Sequence, residues 1–246
     1  MKWAVVVFPG SNCDEDAAYG IRQATGDDVD LVWHQEASLD GYDAVVLPGG
    51  FSYGDYLRPG AIARFSPIMA AVQDAAKAGK LVLGICNGFQ VLTEVGLLPG
   101  ALLSNTHRQF RCEVVELTVI NTTSPFTSAY TFGQKLRVPI SHGDGRFYAD
   151  SAVLNDLQEQ DRVAFTYVDN PNGSLANIAG ILNQEGNVLG LMPHPERAVA
   201  EWMTSTDGVG VFQSMHQFVT KQAPQPTVPG AAANEASQGG YVRAGQ

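Results

Sequence analysis

The chain has 246 residues, 45% of them hydrophobic and only 16% charged, with a formal net charge of −10. That length can bury a large core as one domain, and the negative balance argues against nucleic acid or an anionic membrane as a partner. Three cysteines without paired spacing suggest neither a disulfide framework nor a zinc site, and no apolar run reaches membrane-spanning length.

Met1-Lys-Trp leads straight into a strand with no signal peptide ahead of it, which points to a soluble protein of a reducing cytoplasm. In chain order the hydrophobic pattern predicts a strand at 3–8, a helix at 14–24, and strands at 29–33 and 44–47. A helix at 61–78 ends at Gly79, a buried strand follows at 81–85, and a helical segment runs on through Glu94. Such alternation implies an α/β fold: a doubly wound, mostly parallel sheet flanked by helices, with its site at the carboxyl ends of the strands.

From 110 to 183 the pattern becomes strand-rich (112–120, 136–140, 162–167, 178–182), and these strands should extend or flank the sheet. A last helix is expected at 207–221. The domain should therefore span 1–221. Residues 222–246, rich in Pro, Gly, Ala, Gln and Ser, should form a disordered tail.

The most informative stretch is Lys80-Leu-Val-Leu-Gly-Ile-Cys86-Asn-Gly-Phe-Gln90. A strand, a sharp turn and a helix with a cysteine at the tip form the thiol counterpart of a nucleophile elbow. Gly84 and Gly88, two residues to either side, leave room for the strained backbone such a turn needs. The helix N-terminus beyond Cys86 favours thiolate over thiol. Far downstream lies Met192-Pro-His194-Pro-Glu196-Arg197. Pro195 drives His194 into extended backbone, where residues i and i+2 project to one side. His194 and Glu196 can then complete a triad with Cys86. A third segment, Leu47-Pro48-Gly49-Gly50-Phe51, ends a buried strand in a loop whose amides can approach a ligand. The N–H groups of Gly50 and Asn87 are assigned as oxyanion donors.

Together these pieces resemble the class I (triad-type) glutamine amidotransferases, which carry Gly-x-Cys-x-Gly-x-Gln and a late His-x-Glu. Further segments narrow the resemblance: Phe8-Pro-Gly-Ser-Asn-Cys-Asp14, Gly49 to Gly60, Ser141-His-Gly-Asp-Gly-Arg-Phe147 and Met192 to Arg197. These are similar to the glutaminase subunits of phosphoribosylformylglycinamidine synthases, over residues 1 to about 220. The resemblance implies hydrolysis of L-glutamine through a cysteinyl thioester. The ammonia would pass to a large synthetase subunit, with help from a small accessory subunit, in purine biosynthesis. No metal or cofactor is required on this chain; ATP and Mg²⁺ belong to the synthetase.

Candidate glutamine contacts are Gly49, Gln90, Arg108 and His142; Gln90 reads equally as solvent-exposed and Arg108 as a surface residue, while the plain alternatives for His142 and Gly49 are a surface hairpin turn and an ordinary glycine turn. Cys13 and Cys112 read as packing residues. A stand-alone cysteine amidase or peptidase of the same superfamily is the alternative. Asn87 argues against it, because those relatives typically place histidine directly after the cysteine. The flexible Gly49-Gly50 peptide is a natural switch for the oxyanion donor.

Overall fold

The computed structural model describes residues 1–222. Apart from Gln222, the expected tail lies outside the described residues. Those residues form strands β1 (Lys2–Val7), β2 (Asp28–Trp33), β3 (Ala44–Leu47), β4 (Leu81–Ile85), β5 (Ala101–Leu103), β6 (Arg111–Val119), β7 (Lys135–His142), β8 (Arg146–Tyr148), β9 (Val163–Tyr167), β10 (Ile178–Leu182) and β11 (Val188–Leu191). The helices are α1 (Asp14–Thr25), α2 (Ile68–Lys77), α3 (Asn87–Glu94), α4 (Ser151–Glu159) and α5 (Val209–Gln222).

Nine strands build one sheet in the order β2-β1-β3-β4-β11-β10-β9-β6-β7. From β2 to β11 every pairing is parallel, joined through crossover segments. This is the doubly wound part. Every residue of β3, β4 and β11 is buried, which is why these strands read as unbroken apolar runs rather than alternating ones. The strand-rich segment does extend the sheet, as antiparallel neighbours β10, β9, β6 and β7. β6 and β7 mostly alternate buried with exposed or partly exposed residues, the pattern of strands covered on one face.

Several boundaries differ from expectation for local reasons. The helix expected at 61–78 is interrupted: a 3₁₀ turn at Ala63–Phe65 precedes α2. Pro67 has no N–H and disfavours a helical Ser66, whose ψ is 141°. α4 and the small β5–β8 pair were not anticipated. Asp150 caps α4, its side chain accepting from the N–H of Val153 at 2.8 Å. α1 packs on α5 and on the Pro195–Arg197 turn, and α3 packs on β3, β4 and β11. These contacts bring the ends of β4 and β11, neighbours in the parallel sheet, to one place.

Candidate active site

Cys86 stands between β4 and α3 with φ 49° and ψ −104°, a backbone state costing on the order of 1–3 kcal/mol for a residue with a side chain. Its surroundings leave no room for larger neighbours. A Cβ on Gly84 would come within 2.5 Å of Leu92 Cδ1 and 2.7 Å of the Gly88 backbone, and one on Gly88 within 2.0 Å of the Leu47 carbonyl oxygen. The elbow expected from the glycine spacing is present. Its thiol is nearly buried, donates weakly toward the Ser141 carbonyl at 3.7 Å, and faces a cavity of about 80 Å³.

His194 and Glu196 are brought together by a different route from the one expected. Residues Pro195–Arg197 form a 3₁₀ turn following His194, rather than a continuous extended segment. Pro195 suits that position because a first-turn residue needs no N–H. The turn still lets His194 Nδ1 meet Glu196 Oε1 at 2.6 Å, with the side chains 1% and 0% exposed. Burial opposes protonation of His194, but the Glu196 carboxylate and the thiols of Cys86 and Cys13 outweigh it. The imidazole is therefore held well above its ordinary range. Its Nε2 has no hydrogen-bond partner among the described residues.

The glycine loop packs against the imidazole and the Cys86 cavity. A Cβ on Gly49 would lie 2.6 Å from His194 Cε1, so Gly49 abuts the imidazole edge. Gly50 has φ 129°, lines the Cys86 cavity, and is bridged to Ser11. Its N–H, like that of Asn87, donates to no acceptor among the described residues. The Asn87 side chain organises the floor: it accepts from Ser52 N at 3.2 Å and donates to Gln90 Oε1 at 2.9 Å and Asp55 Oδ1 at 3.2 Å.

The candidate contacts divide. Gln90 is buried, lines the Cys86 cavity, and donates to the Asp144 carbonyl at 2.7 Å, so it ties α3 to the 143–145 loop rather than facing solvent. His142 lines the same cavity with both ring nitrogens unpartnered among the described residues; burial, reinforced by nearby His194, lowers its pKa to about 4, leaving it neutral. Arg108, with φ 54°, instead lines an adjoining polar cavity of about 650 Å³ with Arg146, bordered by Phe110, Gly143 and Asp144. Those last three residues also line the Cys86 cavity.

Two further groups were missed. Asp55 borders the Cys86 cavity, where burial and then the charge of Asp144 push its carboxyl to about 6. Cys13, expected to be inert packing, is buried beside the triad, with Arg197 Nη2 donating to its sulfur at 3.1 Å. The Phe8–Asp14 motif was the one sequence signal for Cys13, and its spacing to His194 gave no hint of contact. Cys112 is exposed on β6.

Residues 1–219 match the family model of the CobB/CobQ-like glutamine amidotransferase domain. A chain of the structure described as PurLQS from Thermotoga maritima is 49% identical, with a TM-score of 0.82, over 89% of this chain and 98% of that one. The fold also resembles a glutamine amidotransferase from Thermotoga maritima, with 19% identity, a TM-score of 0.56, and coverage of 90% and 81% of the two chains. It is likewise similar to the CTPS glutaminase domain with bound acivicin from Trypanosoma brucei, with 16% identity, a TM-score of 0.57, and coverage of 90% and 94%. On the family match and the extent of the 49% likeness, this chain belongs to the CobB/CobQ-like glutamine amidotransferase family.

Proposed function

We propose that this chain is the glutaminase subunit of a phosphoribosylformylglycinamidine synthase. It hydrolyses L-glutamine and delivers ammonia to a synthetase subunit that converts formylglycinamide ribonucleotide to the amidine with ATP and Mg²⁺. Its 49% identity to a PurLQS chain supports this over a stand-alone amidase or peptidase. The observation that carries the chemistry is Cys86 on a strained elbow beside a buried His194–Glu196 pair.

In this reading the Cys86 thiolate attacks the amide carbon of the glutamine side chain. The N–H groups of Gly50 and Asn87 hold the oxyanion, a contribution worth on the order of a hundredfold or more in rate per donor. His194 protonates the departing ammonia and then activates the water that cleaves the thioester. Glu196 orients the imidazole and stabilises its cation. The small cavity suits the amide end. The amino-acid end reaches toward the adjoining polar cavity, where Arg108 offers a bidentate partner for a carboxylate. A small accessory subunit completes the complex. No helix among the described residues is long and apolar enough to cross a membrane, and free thiols suit a reducing cytoplasm.

The test is Cys86→Ala assayed with the synthetase partner. Glutamine-dependent synthesis should be lost, while synthesis from an ammonium salt should continue, because the synthetase site lies on another chain. Retained glutamine-dependent synthesis, or labelling of Cys13 instead of Cys86 by a chloroketone glutamine analogue, would refute the assignment.

A further inference from the structure

Cys13, immediately before α1, has no task in the chemistry above, yet it completes a cluster of unusual composition. The Cys13 thiol, the His194 imidazole and the Glu196 carboxylate each present a donor atom, and all three atoms lie within 4.8 Å of one another. All three residues are buried. Of these residues, Glu196 Oε2 is buried without a hydrogen-bond partner among the described residues, which is costly unless something pairs with it; His194 Nε2 is also unpartnered, but it is the nitrogen left to act on Cys86. Arg197 Nη2 donates to the Cys13 sulfur at 3.1 Å. Arg197 is itself paired with Asp16 at 3.0 Å, so part of its charge is already answered.

We propose that Cys13, His194 and Glu196 form an inhibitory site for a divalent cation of the zinc class. Thiolate, imidazole and carboxylate are the donors such ions select. Donors at about 2.0–2.3 Å from the ion stand about 3–4 Å from each other, so the wider separations in the cluster must close slightly and the 2.6 Å His194–Glu196 contact must open. Binding releases the Cys13 thiol proton and one proton of the His194 imidazolium. The ion takes a lone pair of His194 and an oxygen of Glu196, removing the base and its orienting group together. That this silences turnover rests on the role proposed for His194; the binding itself does not.

The experiment uses the full chain carrying Cys86→Ala, so that the elbow thiol cannot serve as a ligand. Titration with Co²⁺ should show one equivalent bound with a thiolate-to-cobalt charge-transfer absorption. Adding Cys13→Ser, which keeps the side-chain size, should abolish that absorption. It should also weaken Zn²⁺ binding at least tenfold in competition with a chromophoric chelator. Adding Glu196→Gln instead should weaken Zn²⁺ binding independently. With Cys86 intact, Cys13→Ser should need at least tenfold more Zn²⁺ to halve its own metal-free glutaminase rate. Absence of the charge-transfer band, or its survival in the Cys13→Ser chain, overturns the site whatever the activity does. Metal bound as expected without loss of turnover overturns the inhibition, and with it the role of His194.

Discussion

At the residue scale, Asp55 shows what the site demands of its surroundings. An ordinary aspartate ionises near 3.8, whereas burial and Asp144 push this one to about 6. In the unfolded chain the carboxyl is charged above about 4, so between pH 4 and 6 folding binds a proton. Stability from this group is full below the unfolded pKa and is lost as pH rises through about 6. The rise from 3.8 to about 6 corresponds to roughly 3 kcal/mol, but Asp55 is only half-buried and solvent screening leaves on the order of 1 kcal/mol. Asp55→Asn keeps an acceptor for the Asn87 amide and removes the charge. It should raise the urea unfolding free energy by about 1 kcal/mol at pH 8 and leave it nearly unchanged at pH 4. An equal effect at both pH values would show that the carboxyl is not shifted.

At the element scale, the strand–elbow–helix unit depends on contacts that admit no Cβ. β3 and α3 approach so closely that a methyl group on Gly88 would overlap the Leu47 carbonyl oxygen at 2.0 Å. The clash is with backbone in the middle of the parallel sheet, where no side chain can swing aside. Gly88→Ala should therefore destabilise the fold by at least about 2 kcal/mol, measured by urea denaturation. Gly96, just past α3, makes a useful control because a Cβ there meets no atom of the described residues within 4 Å; its positive φ still adds some strain. A Gly88→Ala chain as stable as the parent would mean that the elbow is looser than described.

At the scale of the whole molecule, the site opens toward a rim that is unusual for a protein surface. Tyr53, Asp55 and Leu57 all have positive φ, and Tyr56 and Leu57 are 74% and 90% exposed. Strained, apolar loops at a site mouth suit contact with another surface. In the proposed mechanism one orientation of the Gly49-Gly50 peptide would offer the Gly50 N–H to the oxyanion and the other would withdraw it, a change that glycine makes at little cost. Glutamine hydrolysis by the purified chain should therefore be slow. It should rise about a hundredfold once nucleotide, the synthetase and its small accessory partner are added, since a lost oxyanion donor costs about that much. Full-speed hydrolysis by the chain alone would return the stand-alone amidase to first place.

What could be read from the residues in order was whatever local chemistry enforces. The apolar runs at β1, β3 and β4 mark buried parallel strands because both faces are covered. Gly84 and Gly88 announce the elbow because no other residue fits beside that backbone, and Pro195 announces a break at His194. The late His-x-Glu was legible as a pair even though the turn joining it is 3₁₀ rather than extended. The packing of distant segments settled the rest. Cys13 and Arg197 meet across 184 positions, and no periodicity within either segment encodes that meeting. Gln90 is equally consistent with solvent until the 143–145 loop closes over it. Arg108 is drawn into a neighbouring cavity by a left-handed backbone that its sequence does not signal. Nor could alternation show that β10, β9, β6 and β7 extend the sheet antiparallel. Strand direction depends on how each chain segment returns, and local propensity is silent on that.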